Sequence, residues 1–475
     1  MPPAIRLDDL LAATGGRLIA PTAVTAIRGA AVDSRSVTPG ACFVALRGAR
    51  VDGHAYVGEA IRAGAAAALV EVPVDLPAGH DAALVQVLDP LHALQELAAW
   101  WRGRHAARVV GITGSTGKTL AKEIVADVLA RTQAVLRNEG NFNSETGLPL
   151  TLLHLTDAHR VAVLEMSMYT EGEIARLAEI ARPEVGVVLN VQPMHLQRAG
   201  SIEAIARAKA ELPLALPRDG LAVLNADDAR VASMAGITPA AVLTFGLGAA
   251  AQVRGIDVVA RGLAGTEFTI VAPWGRRRIR SATPGRHLVP HALAAAAVAE
   301  HLGTPLDEVD AALAAGSHAS HRMAPLEAAS GATLVDDTYN AAPWSVAAAL
   351  DFLAETPVAP GRSRYAVIGD MLELGPDEER LHREIGTRAA AVVDGLVAVG
   401  DRGAWIAEAA RAAGLSHVVT ARDAEEAVTA VERDLAPGVG DVVLLKASRG
   451  IELDRTVAAL AAASGSIGRA GAAQA

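Results

Sequence analysis

The sequence has little cysteine, little aromatic character and no excess of basic residues. Its single cysteine, Cys42, excludes a disulfide within the chain and a metal site built from several thiolates. Cys42 lies in the apolar run 41–46, so we expect it to be a small core residue. Aromatic residues make up 3% of the 475 residues, and the cores must therefore be built from aliphatic side chains and alanine. Because hydrophobic residues make up 51% and charged residues 20%, these cores can be large, which excludes a disordered chain.

The charge balance and the lack of long apolar runs exclude further classes. Lys and Arg number 43 against 53 Asp and Glu, and a chain of net charge −10 is a poor general binder of nucleic acid or of a membrane surface. The most apolar later stretch, 291–302, is shorter than the roughly 20 residues that span a bilayer. No basic segment precedes Asp8 and Asp9, as a secretory signal would require. We therefore expect a cytoplasmic protein with no nucleic-acid partner and no membrane insertion.

Short apolar runs separated by helical patterns divide the chain into three zones. Residues 1–105 mix short strands with turns and helices. Residues 106–324 contain continuous apolar strands that alternate with helices, then an alternating, antiparallel segment at 253–280 and a further helix at 291–301. Residues 325–475 form a second α/β unit of dinucleotide-fold type. Since continuous apolar strands indicate parallel sheets covered on both faces, the sequence predicts an α/β protein of three domains with these bounds.

The strongest chemical motif follows the strand 109–112 and opens a helix. It consists of Thr113, Gly114, Ser115, Thr116, Gly117, Lys118 and Thr119. In this setting glycines let backbone N–H groups close around phosphate oxygens, and the helix N-terminus adds positive potential. Lys118 would neutralise the β and γ phosphates, and the Thr119 hydroxyl would bind Mg²⁺. The strict phosphate-loop pattern has a glycine where this chain has Ile112, so the loop is a shortened variant.

Three single residues have both a functional and a structural interpretation. Glu165 follows the strand 161–164 at the sheet edge where ligands gather, and it fits either a Mg²⁺ ligand or a solvated glutamate. His195 follows the next strand to the same edge, although a lone histidine there is more often structural. Lys209 lies on the predicted helix 201–212, where a lone lysine is typical of a solvated face.

Three polar segments also have two interpretations. The asparagines at 138, 141 and 143 are either functional or a turn before a helix. The segment 336–340 follows another strand; its Tyr339 is placed to stack on a base, or the segment caps a helix. The arginines at 276, 277, 278 and 280 predict a solvated sheet edge or hairpin rather than a nucleic-acid patch.

Taken together, these motifs resemble the ATP-dependent Mur ligases. The resembling segments are 33–35, 47–48, 52–54, 113–119, 140–150, 164–166, 190–195, 208–211, 224–228, 336–341, 368–375 and 382–386. They follow the family's order along nearly the whole chain, and the segments of the first and third zones narrow the resemblance to one branch of the family.

The resemblance implies a nucleotide-sugar domain, a central ATPase domain and a mobile C-terminal Rossmann-like domain. It implies that ATP phosphorylates the terminal carboxylate of UDP-N-acetylmuramoyl-tripeptide, and that the amine of D-alanyl-D-alanine attacks the acyl phosphate. The products would be an amide, ADP and phosphate, in peptidoglycan precursor synthesis. We expect a monomer.

The resemblance also implies residue roles. Lys118 would hold the γ-phosphate, and Thr119 with Glu165 would hold one Mg²⁺. A second Mg²⁺ would lie at His195 and at Lys209, whose CO₂ adduct would make it a carbamylated lysine. Besides the phosphate loop, the implied nucleotide residues are His291, Arg322, Asp337, Tyr339 and Asn340. The implied substrate residues are Ser34, Arg35, Arg47, Asn141, Asn143, Lys446, Ser448 and Arg449.

The chain departs from the family pattern at six positions. Leu288 and His291 replace two asparagines, the second of which contacts adenine. The other four are Gln192, His321, Ala342 and Ala447, which replace glycine, glycine, asparagine and glycine. Two other functions therefore stay open: a Mur-type ligase for another acid–amine pair, and a non-catalytic ATP-binding scaffold. Retention of the phosphate, metal and lysine positions argues against the scaffold.

Overall fold

The computed structural model describes residues 2–48, 51–193, 196–316 and 321–462. These residues form three α/β units in chain order, each built on its own main sheet, as the sequence predicts. Within these ranges, no helix combines the length and the apolar character that a bilayer span needs.

The first unit contains a five-stranded sheet of order β2-β7-β6-β5-β4 and a small β1–β3 ribbon. Its elements are β1 Ala4–Arg6, α1 Leu7–Thr14, β2 Arg17–Leu18, β3 Ala26–Arg28, β4 Ala30–Ala31, β5 Cys42–Val44, α2 Val57–Arg62, β6 Ala67–Val70, β7 Ala83–Gln86 and α3 Pro90–Arg102. Strands β4 to β7 are parallel, and β2 is an antiparallel edge. Cys42 is fully buried in β5, and burial raises the pKa of its thiol to about 12, which confirms a core residue.

The second unit contains a nine-stranded sheet of order β16-β15-β14-β13-β12-β11-β8-β10-β9. Its elements are β8 Arg108–Thr113, α4 Lys118–Leu129, β9 Val135–Arg137, α5 Gly147–Leu152, β10 Val161–Glu165, α6 Glu173–Ala181, β11 Val185–Val188, α7 Leu196–Ala199, α8 Ile202–Leu214, β12 Leu221–Asn225, α9 Ala229–Ser233, β13 Ala241–Gly246, β14 Val253–Ala260, β15 Thr266–Ala272, β16 Gly275–Ser281, α10 Leu288–His301 and α11 Leu306–Ala315. Strand β8 lies between β10 and β11, so the phosphate loop, Glu165 and the segment after β11 share one edge.

Aliphatic side chains and alanine cover both faces of the parallel part of this sheet. Helices α4 and α10 pack together on one face, where the alanines of α10 allow close approach. Helices α5, α6 and α8 contribute to the core on the other side. The antiparallel prediction for 253–280 is confirmed, because β14, β15 and β16 pair in that sense. The basic run lies on the edge strand β16, where Arg277 contacts Asp310 at 3.1 Å and Arg278 contacts Glu267 at 2.8 Å, which confirms a solvated edge.

The third unit contains a six-stranded sheet of order β17-β18-β22-β19-β20-β21, parallel except for the edge strand β17. Its elements are β17 Ala324–Glu327, β18 Thr333–Asp336, α12 Pro343–Glu355, β19 Arg364–Gly369, α13 Glu378–Ala390, β20 Gly395–Val399, α14 Gly403–Ala412, β21 Val418–Ala421, α15 Ala424–Thr429, β22 Val442–Lys446 and α16 Leu453–Ala462. A π-helical turn, Ala430–Leu435, continues α15. The carboxyl ends of β18 and β22 bring residues 336–341 and 446–449 together, facing the phosphate loop of the second unit.

Candidate active site

The phosphate loop joins β8 to α4 and turns at Gly117. The backbone there has φ +76°, a left-handed conformation that favours glycine. A Cβ at this position would lie 2.4 Å from Cε1 of His291, so only glycine fits. Thr113 ends β8 fully buried beneath the loop.

The segment after β11 holds the loop in shape. Asn190 Oδ1 accepts from Thr116 N at 2.9 Å, and the Asn190 carbonyl accepts from Ser115 N at 3.0 Å. The Ser115 hydroxyl donates to the Gln192 carbonyl at 2.9 Å and accepts from Gln192 N at 2.8 Å. Since these contacts use the main chain of Gln192, the replacement of the family's glycine leaves them intact.

Lys118 folds back onto the loop. Its Nζ donates to the carbonyls of Gly114 at 2.9 Å and Ser115 at 3.3 Å. Burial lowers the pKa of Lys118, the nearby Glu165 opposes this shift, and Arg322 adds to it. The ammonium therefore lies inside the loop, where phosphate oxygens would be bound.

Thr119 and Glu165 form an oxygen pair at the mouth of the loop. The Thr119 hydroxyl donates to Glu165 Oε2 at 2.8 Å, and Asn143 Nδ2 donates to Oε1 at 2.7 Å. Glu165 is 2% exposed. One carboxylate and one hydroxyl fit Mg²⁺, which takes hard oxygen ligands and keeps waters and phosphate oxygens around it. Within the described ranges, no group of three His, Cys, Asp or Glu could hold a metal ion by itself. Asn143, which the resemblance assigns to substrate, thus contacts this carboxylate.

Lys209 does not lie on a solvated face, so that alternative is wrong. It is 3% exposed on α8, because α8 packs this side of the helix against the sheet. Burial and the charge of Lys118 hold its pKa well below the ordinary value. Among the described residues, none forms a hydrogen bond or an ion pair with the side-chain ammonium of Lys209. His195, the other predicted ligand of a second metal, lies outside the described residues.

A cavity beside the loop, here called the apolar cavity, lies between the phosphate loop, α10 and α12. Its lining includes Leu120, Asn225, Phe245, His287, His291, Met323 and Trp344. His291 is 8% exposed, and its Nδ1 has no hydrogen-bond partner among the described residues. Burial, with the charges of His287 and Arg322, lowers the pKa of His291 to about 3, so the ring is neutral. Leu288, by contrast, is fully buried in the core of the second unit.

A second cavity, here called the polar cavity, lies between the second and third units. It is lined by Lys118, Thr119, Asn141, Glu165, Tyr169, Arg322, Tyr339, Asn340, Lys446 and Arg449. The guanidinium of Arg322 lies 4.3 Å from the centroid of the Tyr339 ring, a cation–π contact. His321, before it, has φ +57°, and its Nδ1 lies 2.7 Å from Asp336 Oδ2. The backbone of His321 is thus left-handed, a conformation that glycine would adopt without strain, and its ring contacts the carboxylate of Asp336.

The three predicted substrate residues at the end of β22 and just after it differ in their surroundings. Lys446 is buried, and its Nζ contacts Asp337 Oδ2 at 2.6 Å and the Asn340 carbonyl at 2.9 Å. The Ser448 hydroxyl donates to the Ala341 carbonyl at 3.2 Å and accepts from Leu372 N at 2.9 Å. Of the three residues, only Arg449 is exposed, and its guanidinium lies 3.3 Å from Asp454. Lys446 and Ser448 therefore fix the loop that carries Asp337, Tyr339 and Asn340.

The predicted substrate residues of the first unit lie apart from both cavities. Ser34 Oγ donates to Glu59 at 3.1 Å, and Arg47 lies 3.2 Å from Glu71. Arg35 forms a fork with Asp33, at 2.6 Å for the shortest contact, and lowers the pKa of that carboxyl to about 2.

The structure adds residues to which the sequence assigned no role. Asn190 holds the loop, and His287 lines the apolar cavity. The only signal for these two was a polar side chain just after a strand or just before a helix, which is too common to single out. Asn138, for which the sequence left a functional role and a turn open, contacts the backbone of Glu165.

Comparison with known proteins matches all three units. The profile described as "Mur ligase family, catalytic domain" matches residues 26–102, "Mur ligase middle domain" matches 112–299, and "Mur ligase, glutamate ligase domain" matches 321–449. The UDP-N-acetylmuramoyl-tripeptide–D-alanyl-D-alanine ligase of Mycobacterium tuberculosis is 39% identical, over 90% of this chain and 91% of that protein. The enzyme of the same name from Escherichia coli is 36% identical, over 90% and 92%.

Solved structures agree with these matches. A crystal structure of MurF from Acinetobacter baumannii has a TM-score of 0.85 and 29% identity, and covers 97% of this chain and 99% of that chain. MurF ligase from Thermotoga maritima in complex with ADP has a TM-score of 0.79 and 29% identity, over 92% and 97%.

Proposed function

This chain belongs to the Mur ligase family, and we propose from that premise that it joins D-alanyl-D-alanine to UDP-N-acetylmuramoyl-tripeptide. It is an ATP-dependent ligase that forms a carbon–nitrogen bond in peptidoglycan precursor synthesis. The observation that carries the proposal is the polar cavity, in which the phosphate loop and the Thr119–Glu165 pair face residues 337–340 and 446–449 of the third unit.

The reaction has two steps. A carboxylate oxygen of the tripeptide attacks the γ-phosphorus of ATP, the bond from phosphorus to the β,γ-bridging oxygen breaks, and ADP leaves. The amine of D-alanyl-D-alanine then attacks the acyl carbon, loses a proton, and inorganic phosphate leaves with the electron pair of its C–O bond. Activation is needed because a free carboxylate does not acylate an amine.

The residues of the second unit serve the first step by cancelling charge. Both reactants are anions, so positive groups must lie along the path of the phosphoryl group. Lys118 and the N-terminus of α4 supply such groups at the loop. Mg²⁺, held by Thr119 and Glu165, would supply further neutralisation of the phosphate oxygens. Arg322, Asp337, Tyr339 and Asn340 would hold the nucleotide from the third unit, and His291 would contact its base.

Lys209 supports a second metal position. A lowered pKa raises the fraction of Lys209 that is the neutral amine, which is the form that adds CO₂ to give a carbamate. This adduct changes a cation into a carboxylate-like group that suits Mg²⁺. We assign the second position to carbamylated Lys209 together with His195.

The remaining assignments follow the family. Residues 1–105 would bind the UDP-sugar through Ser34, Arg35 and Arg47, residues 106–324 would bind ATP, and 325–475 would close over the site. Asn141 and Asn143 would lie near the tripeptide, and Lys446, Ser448 and Arg449 near the incoming amine. We propose a monomer that acts in the cytoplasm.

Phosphate release tests the reaction. The full chain is supplied with ATP, Mg²⁺, UDP-N-acetylmuramoyl-tripeptide and D-alanyl-D-alanine, and each is omitted in turn, with Lys118→Met as the inactive control. We expect multiple-turnover release only in the complete mixture. Release that persists without D-alanyl-D-alanine, or that a different amine restores better, would point to another acid–amine pair. ATP binding with no release in any mixture would point to a scaffold.

A further inference from the structure

Asn138 extends the sheet beside Glu165 with its side chain. Strand β9 ends at Arg137, which pairs with Val163 of β10. One residue further on, Asn138 Oδ1 accepts from Glu165 N at 3.0 Å, and Asn138 Nδ2 donates to the Glu165 carbonyl at 3.2 Å. The side-chain amide thus takes the place of a peptide group on the last residue of β10. Among side chains, only Asn and Gln carry an amide, with an N–H donor and a carbonyl acceptor in one planar group as in a peptide bond.

The same amide also fixes the loop that reaches the carboxylate of Glu165. Asn138 Nδ2 donates to the Phe142 carbonyl at 2.8 Å, and the next residue, Asn143, donates to Glu165 Oε1. On the other side, Glu165 pairs with Ile112 of β8. The main chain of Glu165 is therefore held from both sides, and its carboxylate is directed at Thr119.

A buried lysine ties this arrangement to the helix of the phosphate loop. Lys122 lies on α4, is fully buried, and donates from Nζ to the Asn138 carbonyl. Its ammonium also lies 2.8 Å from Glu123 Oε1. Since a buried ammonium is costly unless charged and polar partners surround it, Lys122 fixes the distance between α4 and residue 138.

We propose that Asn138, supported by Lys122, is a positioning residue for Glu165 as a magnesium ligand. The inference rests on the proposed function, since that function assigns Mg²⁺ to Glu165. Asn138 is 1% exposed and lines neither cavity, so it acts through Glu165 and not on a substrate. Partners that orient a ligand in this way typically change metal affinity by about 10–100-fold.

Binding of Mn²⁺ to the full chain with ADP, followed by electron paramagnetic resonance, tests the proposal. Asn138→Asp keeps the shape but replaces the donor by an acceptor that faces the carbonyls of Glu165 and Phe142. We expect Mn²⁺ binding to weaken by about tenfold and turnover to recover at raised Mg²⁺. Asn138→Ala removes all three side-chain hydrogen bonds without adding charge, and we expect a smaller loss of Mn²⁺ affinity. Gln133→Glu is the matched control, because Gln133 Nε2 donates to the Leu302 carbonyl at 3.0 Å beyond the far end of α4; its Mn²⁺ affinity should match wild type.

Glu165→Gln separates this inference from the proposed function. If Glu165→Gln weakens Mn²⁺ binding while folded Asn138→Asp and Asn138→Ala bind as wild type does, the positioning role is overturned and the function stands. If Glu165→Gln leaves Mn²⁺ affinity unchanged, the magnesium assignment fails and the inference fails with it. Circular dichroism checks folding, and Asn138→Ala decides the outcome if Asn138→Asp does not fold.

Discussion

The imidazole of His291 lies directly against Gly117, so that a single added methyl group at 117 would come within 2.4 Å of Cε1 and 2.6 Å of Nε2. A helix residue from α10 thus sets the space available to the turn of the phosphate loop. The two residues are therefore coupled, since a side chain at 117 fits only if the ring of His291 or the turn itself moves.

Gly117→Ala should therefore weaken ADP binding by at least tenfold. Gly172→Ala is the matched control, because Gly172 also has a positive φ, of 93°, but an added Cβ there would meet nothing within 4 Å. Both variants should lose roughly 1–2 kcal/mol of stability from the left-handed backbone. Calorimetric titration with ADP separates them: equal affinities would contradict the contact. The double variant Gly117→Ala/His291→Ala should recover part of the affinity.

Burial of neutral His291 predicts a pH dependence of stability. Its pKa falls from 6.5 to about 3 on folding, so between these values the unfolded chain binds a proton that the folded chain does not. Stability should therefore decrease as the pH falls below about 6.5, by up to about 1.4 kcal/mol per pH unit. Thermal unfolding of wild type and His291→Asn between pH 7 and pH 5 measures this. The variant should lose less stability on acidification, and parallel curves would disprove the assignment.

Lys209→Ala should abolish turnover and regain part of it with short carboxylic acids. Such acids can enter the space left by the side chain and replace the carbamate. The control is Arg207→Ala on the same helix, whose exposed guanidinium pairs with Glu171 at 2.7 Å and should leave turnover unchanged. Phosphate release measured with and without added acetate checks the result. Full activity of Lys209→Ala would exclude a carbamate role.

Lys446→Met should destabilise the third unit strongly. It leaves Asp337 buried without its cation, which typically costs about 3–5 kcal/mol. The double variant Lys446→Met/Asp337→Leu should lose much less, because no uncompensated charge remains. Urea unfolding followed at Trp344 and Trp405 measures both. A double variant that loses as much stability as Lys446→Met alone, or more, would show that the two residues are not coupled.

The sequence predicts the parts of the site that depend on consecutive residues or on the ends of parallel strands. The phosphate loop was predicted because its residues are consecutive and lie between a strand and a helix. Glu165 was placed correctly because a parallel sheet brings strand ends to one edge. The burial of Lys209 is not predictable from the sequence around it, because a single lysine in a helix gives the same local pattern whether it faces the core or the solvent.

Other features depend on pairings across long stretches of chain. Lys446 and Asp337 are 109 positions apart, and only the parallel pairing of β18 with β22 brings them together. The contact of Asn138 with Glu165 requires that β9 be the neighbour of β10, which no periodicity reveals.

The hydrogen bonds between Ser115 and the main chain of residue 192 determine which substitutions at 192 the loop can accept. The partner groups at 192 are a carbonyl and an N–H, which every residue except proline carries. Mutation at this codon can therefore accumulate for a long time while the loop stays unchanged, and an exchange to proline is the one that selection should remove. Different residues at position 192 in related enzymes would therefore reflect their ancestry. They would not show how much an enzyme depends on the main-chain contacts made there.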